Sequence, residues 1–269
     1  MQLYVITDRT LAAAPGPSSL AGRDQEPHRP GLLSTGEQAW LVGRARAWAA
    51  AGVEFVQLRE KDLPPSQLLT LARLLREAMA GSGTRLLLNA PPELARDAGA
   101  DGVHLPGGWT TAAVAHARRV LGPRAVISLA CHTWQTPLEA RDALTEAAFS
   151  RESLHAGEVG SALALFSPIF REHKPHITLS GKPEQTRPEE IQATAEVDSA
   201  PQEPRPALGL EPLRKACTAA SPLPVYALGG ITAATAPLCL VAGAAGIAAI
   251  RLFAGDDWLP LAGRHAYSA

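Results

Sequence analysis

Eight short apolar runs separated by longer amphipathic or alanine-rich stretches predict an α/β chain, a (β/α)8 TIM barrel with two long loop insertions. The length of 269 residues suits one such barrel. Residues 1–269 therefore read as a single barrel domain, and no repeat of long fixed period competes with the strand–helix alternation.

The candidate strands, in order, are Gln2 to Thr7, Glu54 to Leu58, Arg85 to Leu88 and Gly102 to Leu105, then Ala125 to Leu129, Ala162 to Phe166, Pro224 to Leu228 and Gly246 to Ile250. The first helix is expected over Glu37 to Ala51. Ser34 precedes Glu37 by three residues, a capping-box spacing that satisfies amide donors at a helix start. Pro65 and Ser66 open the next helix, and Gly81-Ser82-Gly83 closes it. Two stretches break the rhythm: residues 10–33 and 171–207, both rich in Pro, Gly, Ser and charge. They are expected to be mobile insertions, because such composition buries too little apolar surface to offset chain entropy. Each follows a strand, which puts it on the catalytic face of a barrel, as a lid or as decoration without a role.

Hydrophobic residues make up 46% of the chain and the formal net charge is −1, so no broad basic face for nucleic acid and no polybasic membrane patch is expected. The three cysteines, Cys131, Cys217 and Cys239, lack CxxC or metal-ligand spacing. Met1 to Asp8 shows no basic stretch leading into a long apolar one, and no run reaches about 18 apolar residues. The expectation is a cytoplasmic protein without membrane or nucleic-acid partners, acting on small molecules.

Residues that close a barrel strand face the mouth, so they carry the candidate chemistry. Gln57, Arg59 and Lys61 alternate at the end of the second strand and share one side of the backbone. An Arg fork beside a Lys charge makes an anion clamp; the alternative is a surface cluster paired with Glu60 and Asp62. Gly229-Gly230 after the seventh strand, and the amides around the eighth, suit close approach of a phosphate, though many such pairs are plain turns. Arg251 ends the eighth strand, as a reinforcing charge or a solvated rim residue. His132 lies just past the fifth strand, where an imidazole serves as acid or base, or as a hydrogen-bonded structural residue. Cys131 points the opposite way, which argues against a Cys-His pair, and His104 inside Val103-His104-Leu105 reads as structural.

Several motifs in register resemble the thiamine phosphate synthase and TenI (thiazole tautomerase) family: Leu3-Tyr4-Val5-Ile6-Thr7-Asp8-Arg9, Gln57-Leu58-Arg59-Glu60-Lys61-Asp62 and Gly99-Ala100-Asp101-Gly102-Val103-His104-Leu105, then Ser167-Pro168-Ile169-Phe170 and Gly229-Gly230-Ile231-Thr232. The resemblance implies a barrel acting on small phosphorylated thiazole or pyrimidine substrates, and it alone implies a homo-oligomer. It assigns Gln57, Arg59 and Lys61 to a pyrimidine pyrophosphate. Gly229, Gly230, Ile250 and Arg251 fall to a thiazole phosphate, with Lys174 opposite a lysine in the loop after the sixth strand.

Two departures direct the reading. The synthase holds Mg²⁺ with an aspartate after the third strand and another after the fourth; here Asn89, kept as a substrate contact, is followed by Ala90, and the second position is Trp109. Neither a methyl nor an indole offers a hard cation an oxygen. The tautomerase branch lacks the same carboxylates, needs no metal and, by resemblance, uses His132 as its acid-base group. The leading expectation is thus a metal-independent thiazole tautomerase with no cofactor. The alternatives are a diverged synthase, for which Mg²⁺ is expected, and a catalytically silent binder of thiazole or thiamine phosphate.

Overall fold

Each of the eight apolar runs forms a parallel strand in the computed structural model, which describes residues 1–13, 28–149, 162–171 and 206–262. The elements run β1 (Gln2–Ile6), α1 (Thr35–Ala50), β2 (Phe55–Leu58), α2 (Pro65–Ala78), β3 (Arg85–Leu88), α3 (Pro92–Ala98), β4 (Gly102–Leu105), α4 (Thr111–Leu121), β5 (Val126–Cys131), α5 (Thr136–Phe149), β6 (Ala162–Phe166), α6 (Leu210–Ala220), β7 (Val225–Leu228), α7 (Ala236–Val241) and β8 (Gly246–Ala249). The strands pair in sequence order and close, with Gln2 opposite Gly246 and Tyr4 opposite Phe55. The fold is a (β/α)8 TIM barrel.

Strands covered on both faces need apolar residues at nearly every position, and Phe55-Val56-Gln57-Leu58 is buried throughout. Alternation divides the strand side chains between two cores. Tyr4, Ile6, Phe55, Leu87, Leu165 and Tyr226 fill the barrel interior, where Tyr4, Phe55 and Tyr226 pack with ring centroids 5.6–6.0 Å apart. Leu3, Val5, Val56, Leu58, Leu86 and Leu88 face outward onto the helices. The helices answer at matching intervals: Leu41, Ala45 and Trp48 on α1, and Leu68, Leu71, Ala72 and Leu75 on α2.

Local signals set the helix starts. Ser34 caps α1 by accepting from the Glu37 amide at 3.2 Å while Glu37 accepts from the Ser34 amide at 2.9 Å, completing the expected box. Pro65 opens α2, and Thr110 caps α4.

The first expected insertion departs from a mobile loop where it is described. Arg9–Ala13 forms a 3-10 turn, and Arg29 bridges Leu32. The Gly31 amide donates to Asp62 and the Leu33 amide to Gln67, so backbone polar groups find partners on the β2–α2 edge. Residues 14–27 lie outside the described residues, as do 172–205 of the second insertion.

Candidate active site

The mouth of the barrel has two differently built corners. At the first, Arg9 leaves β1 with its side chain 1% exposed and meets three carboxylates. Its guanidinium forks onto Asp62 with two bonds of 2.6 Å, lies 3.3 Å from Glu60 and 3.4 Å from Glu37. The Arg9 amide also donates to Glu60, and Thr7 Oγ1 donates to Glu60 at 2.6 Å while accepting from the Arg59 amide at 3.0 Å. His28 Nδ1 adds a contact to Glu37 at 2.7 Å. The Arg9 fork holds Asp62 far below the usual carboxylate range. Burial pushes the Glu60 carboxyl up, against the pull of Thr7 and Arg9.

This network corrects the surface-cluster alternative for the second strand. Glu60 and Asp62 pair with Arg9, not with Arg59 and Lys61, and among the described residues neither of those cations forms an ion pair. The shared-side argument also changes, because β2 ends at Leu58 and Lys61 lies in the following turn. Lys61 is nonetheless near enough for the Arg59 charge to lower its pKa.

Below this corner lies a polar layer inside the barrel. Gln57 is 1% exposed; its Oε1 accepts from the Tyr4 hydroxyl at 2.8 Å, leaving the amide NH2 as a donor. The same hydroxyl lies 3.4 Å from Ser128 Oγ, which is 2.9 Å from His104 Nδ1. Burial, then the Arg59 charge and then His132, push the His104 pKa down to about 3, so this imidazole is neutral. Its hydrogen-bonded burial matches the structural role expected of it.

His132 follows β5 directly. Its Nδ1–H donates to the Ser167 carbonyl at the end of β6, 3.0 Å away, which leaves Nε2 as the acceptor of the neutral ring. A Cβ placed on Gly107 would stand 3.0 Å from that Nε2, so the β4–α4 turn rests against the imidazole. Cys131 turns away into the outer core, where burial raises its thiol to about 12.

The second corner is a pocket of about 630 Å³ after β7 and β8, reached by Leu228 to Ala234 and Ala249 to Leu252 together with Asp8, Arg171 and Asp257. It gathers Gly229, Gly230, Ile250 and Arg251 as expected, although β8 ends at Ala249 and Arg251 starts a 3-10 turn. The glycines have another reason to be there. Both have positive φ, +99° and +63°, and added Cβ atoms would come within 2.8 Å of Pro168 and of Phe170 and Arg171. The Ile169 and Phe170 amides donate to the Leu228 and Gly229 carbonyls, so the chain after β6 packs along one side of the glycines while the pocket opens on the other.

Asn89 follows β3, its amide bonded to the Leu58 carbonyl; it does not reach the β7–β8 pocket. Lys174 lies outside the described residues. Sequence reasoning misses Asp8, Arg171, Thr232 and Asp257 in the pocket, and Arg9 as the hub of the first corner. The position of Asp8, directly after β1 and Ile6-Thr7, is the signal available for it.

Fold and pocket together define a (β/α)8 barrel of the kind that gathers ligands at the C-terminal ends of its strands. Residues 33–150 and 194–253 match the family described as thiamine monophosphate synthase. A Geobacter sulfurreducens protein provisionally named a thiamine-phosphate synthase is 34% identical over 94% of this chain and 87% of its own length. The thiamine-phosphate synthase of Methanoculleus marisnigri is 32% identical over 82% of this chain and 83% of its own. Among solved structures, thiamine phosphate pyrophosphorylase from Pyrococcus furiosus superposes with a TM-score of 0.59 at 20% identity, covering 97% of this chain and 91% of that one, a likeness of fold. The chain belongs to the thiamine monophosphate synthase family and is an enzyme of thiamine biosynthesis. These matches carry the synthase name and give the tautomerase expectation no specific support.

The Mg²⁺ that the resemblance implies finds no fitting donors at the expected positions. Ala90 packs against the outer core, and Trp109 spends its indole N–H on the Ala130 carbonyl at 2.8 Å. Glu60 and Asp62 are turned to Arg9. No group of three or more His, Cys, Asp or Glu side chains suited to a metal occurs among the described residues. Nor, among those residues, is any helix long and apolar enough to cross a membrane.

Proposed function

We propose that the enzyme transfers a hydroxymethylpyrimidine group from its pyrophosphate to a thiazole phosphate, forming thiamine phosphate. The observation that carries this reading is the presence of two separate positions with cationic side chains on one mouth. Arg59 and Lys61 stand beyond β2, while Arg171, Arg251 and glycine backbone, together with Asp8 and Asp257, line the pocket beyond β7 and β8. A reaction on one phosphorylated substrate uses one such position; a coupling of two uses both. In the transfer, the thiazole nitrogen bonds to the pyrimidine's exocyclic carbon as that carbon's bond to pyrophosphate breaks, and the leaving group keeps the electron pair. Arg59 and Lys61 stabilise that charge as it develops. The Gln57 amide, fixed by Tyr4, orients the pyrimidine from inside the barrel.

A second reading, proton transfer on a single thiazole carboxylate phosphate, is favoured by one observation: the Ser167 carbonyl holds His132 in one tautomer, as a general acid-base group requires. Assays of both reactions with Lys61→Ala and His132→Asn separate the two. Under the transfer reading, pyrophosphate release requires both substrates and Lys61→Ala lowers it far more than His132→Asn does. A ~10² to 10⁴-fold loss of kcat confined to His132→Asn on the thiazole substrate alone would replace this reading with the tautomerase.

A further inference from the structure

We infer that this enzyme neutralises its substrate's pyrophosphate with Arg59 and Lys61 in place of a metal, and that no divalent cation stands between the protein and the leaving group. The inference rests on the transfer reading for its substrate and on four observations of its own. First, the residues at the two positions where a metal is implied have other employment: the Ala90 methyl is packed against the outer core, and the Trp109 indole N–H is bonded to Ala130. Second, the nearest carboxylates to Arg59 and Lys61 in sequence, Glu60 and Asp62, are held by the buried Arg9, with Asp62 gripped at both oxygens. A cation recruiting them would have to break an arginine fork and strand Arg9, whose side chain is 1% exposed.

Third, Arg59 and Lys61 themselves have no ion-pair partner among the described residues, and the repulsion between them is felt at Lys61. A divalent cation brought to that spot would meet two like charges; a pyrophosphate would relieve them. Fourth, the backbone that carries the pair is fixed: the Arg59 amide donates to Thr7 Oγ1, and the Leu63 amide to the Glu60 carbonyl. Charges carried on such a backbone can stabilise a leaving group electrostatically without a metal. Trp109 and Arg9 are thus two halves of one arrangement, the first standing where a ligand would be and the second occupying its substitutes.

The test uses inorganic pyrophosphate as the probe and the whole purified chain. Calorimetric titration in EDTA is expected to show binding, with an affinity no weaker than in excess Mg²⁺. Arg59→Met and Lys61→Met, each confirmed folded by circular dichroism and denaturant midpoint, should weaken it by roughly 10- to 100-fold, the scale of a lost charged hydrogen bond. Lys61→Arg should restore most of that loss. Mn²⁺ added with pyrophosphate should give no protein-immobilised resonance signal. Binding that appears only with Mg²⁺ or Mn²⁺, or that is unchanged in both methionine variants, would overturn the inference. Pyrophosphate binding in EDTA without coupling of the two substrates would leave it standing and remove the transfer reading; coupling that strictly requires Mg²⁺ would do the reverse.

Discussion

The two corners of the mouth are built by opposite means. Beyond β2 the corner is built from side-chain charge: Arg9 pairs with the local carboxylates, and among the described residues Arg59 and Lys61 form no ion pair. Beyond β7 the corner is built mainly from backbone shape, as two glycines with positive φ let the Pro168–Arg171 segment pack against them with a pocket on the far side. A charge-built corner is sensitive to pairing; a shape-built corner is sensitive to volume. Substitutions that are conservative at one are disruptive at the other.

The largest effect is expected at the charge-built corner. Arg9→Met keeps the length of the side chain but leaves Glu60 and Glu37, with side chains 3% and 7% exposed, without their cation. Breaking a buried pair in this way costs about 3–5 kcal/mol, to be read from urea denaturation at pH 7. A variant as stable as the parent would show that the corner is held by shape after all. Gly229→Ala should cost less, roughly 2 kcal/mol, from a left-handed backbone and a methyl set 2.8 Å from Pro168. Stability, read from urea denaturation, should fall while the variant still folds, and loss of phosphate binding in that folded variant would assign the glycines to the ligand directly.

The smallest expected effect concerns the layer between the corners, and it depends on pH. His104 titrates at about 3 in the folded chain against an ordinary 6.5, so the unfolded chain binds the extra proton between those values. Stability must therefore fall as pH drops through 6.5, by about 2 kcal/mol at pH 5 from this group. In His104→Gln the decline between pH 7 and pH 5 should flatten. An unchanged slope would mean that the imidazole is charged inside the barrel and that Arg59 and His132 are farther from it than described.

Much of this architecture was legible in the residues. The strands are found within one or two residues of their expected ends because strands buried on both faces announce themselves as unbroken apolar runs, as in Arg85–Leu88 and Ala162–Phe166. Ser34 and Glu37 are local and were readable for the same reason. The hub role of Arg9 was not, because its partners lie 28 to 53 residues away and any of several basic residues would satisfy the same composition. For Gly229 and Gly230 the sequence shows that something comes close, and the packing shows that Pro168 to Arg171 lies against one side of them. At Trp109 the sequence shows the missing carboxylate, whereas the bond to Ala130 requires the geometry of β5.

Closure of the barrel through β1 and β8 also orders events in time. The Arg9 corner draws on residues from Thr7 to Gln67 and is available once the first two strands, α1 and the start of α2 have been made. The pocket needs Asp8 beside Ile250, Arg251 and Asp257, and Gln2 must wait for Gly246 before the sheet seals. During synthesis, therefore, the charged corner is early, while the pocket is among the last parts of the molecule to exist. A nascent chain arrested before residue 246 would carry its charged corner on an open sheet with no second site to work with.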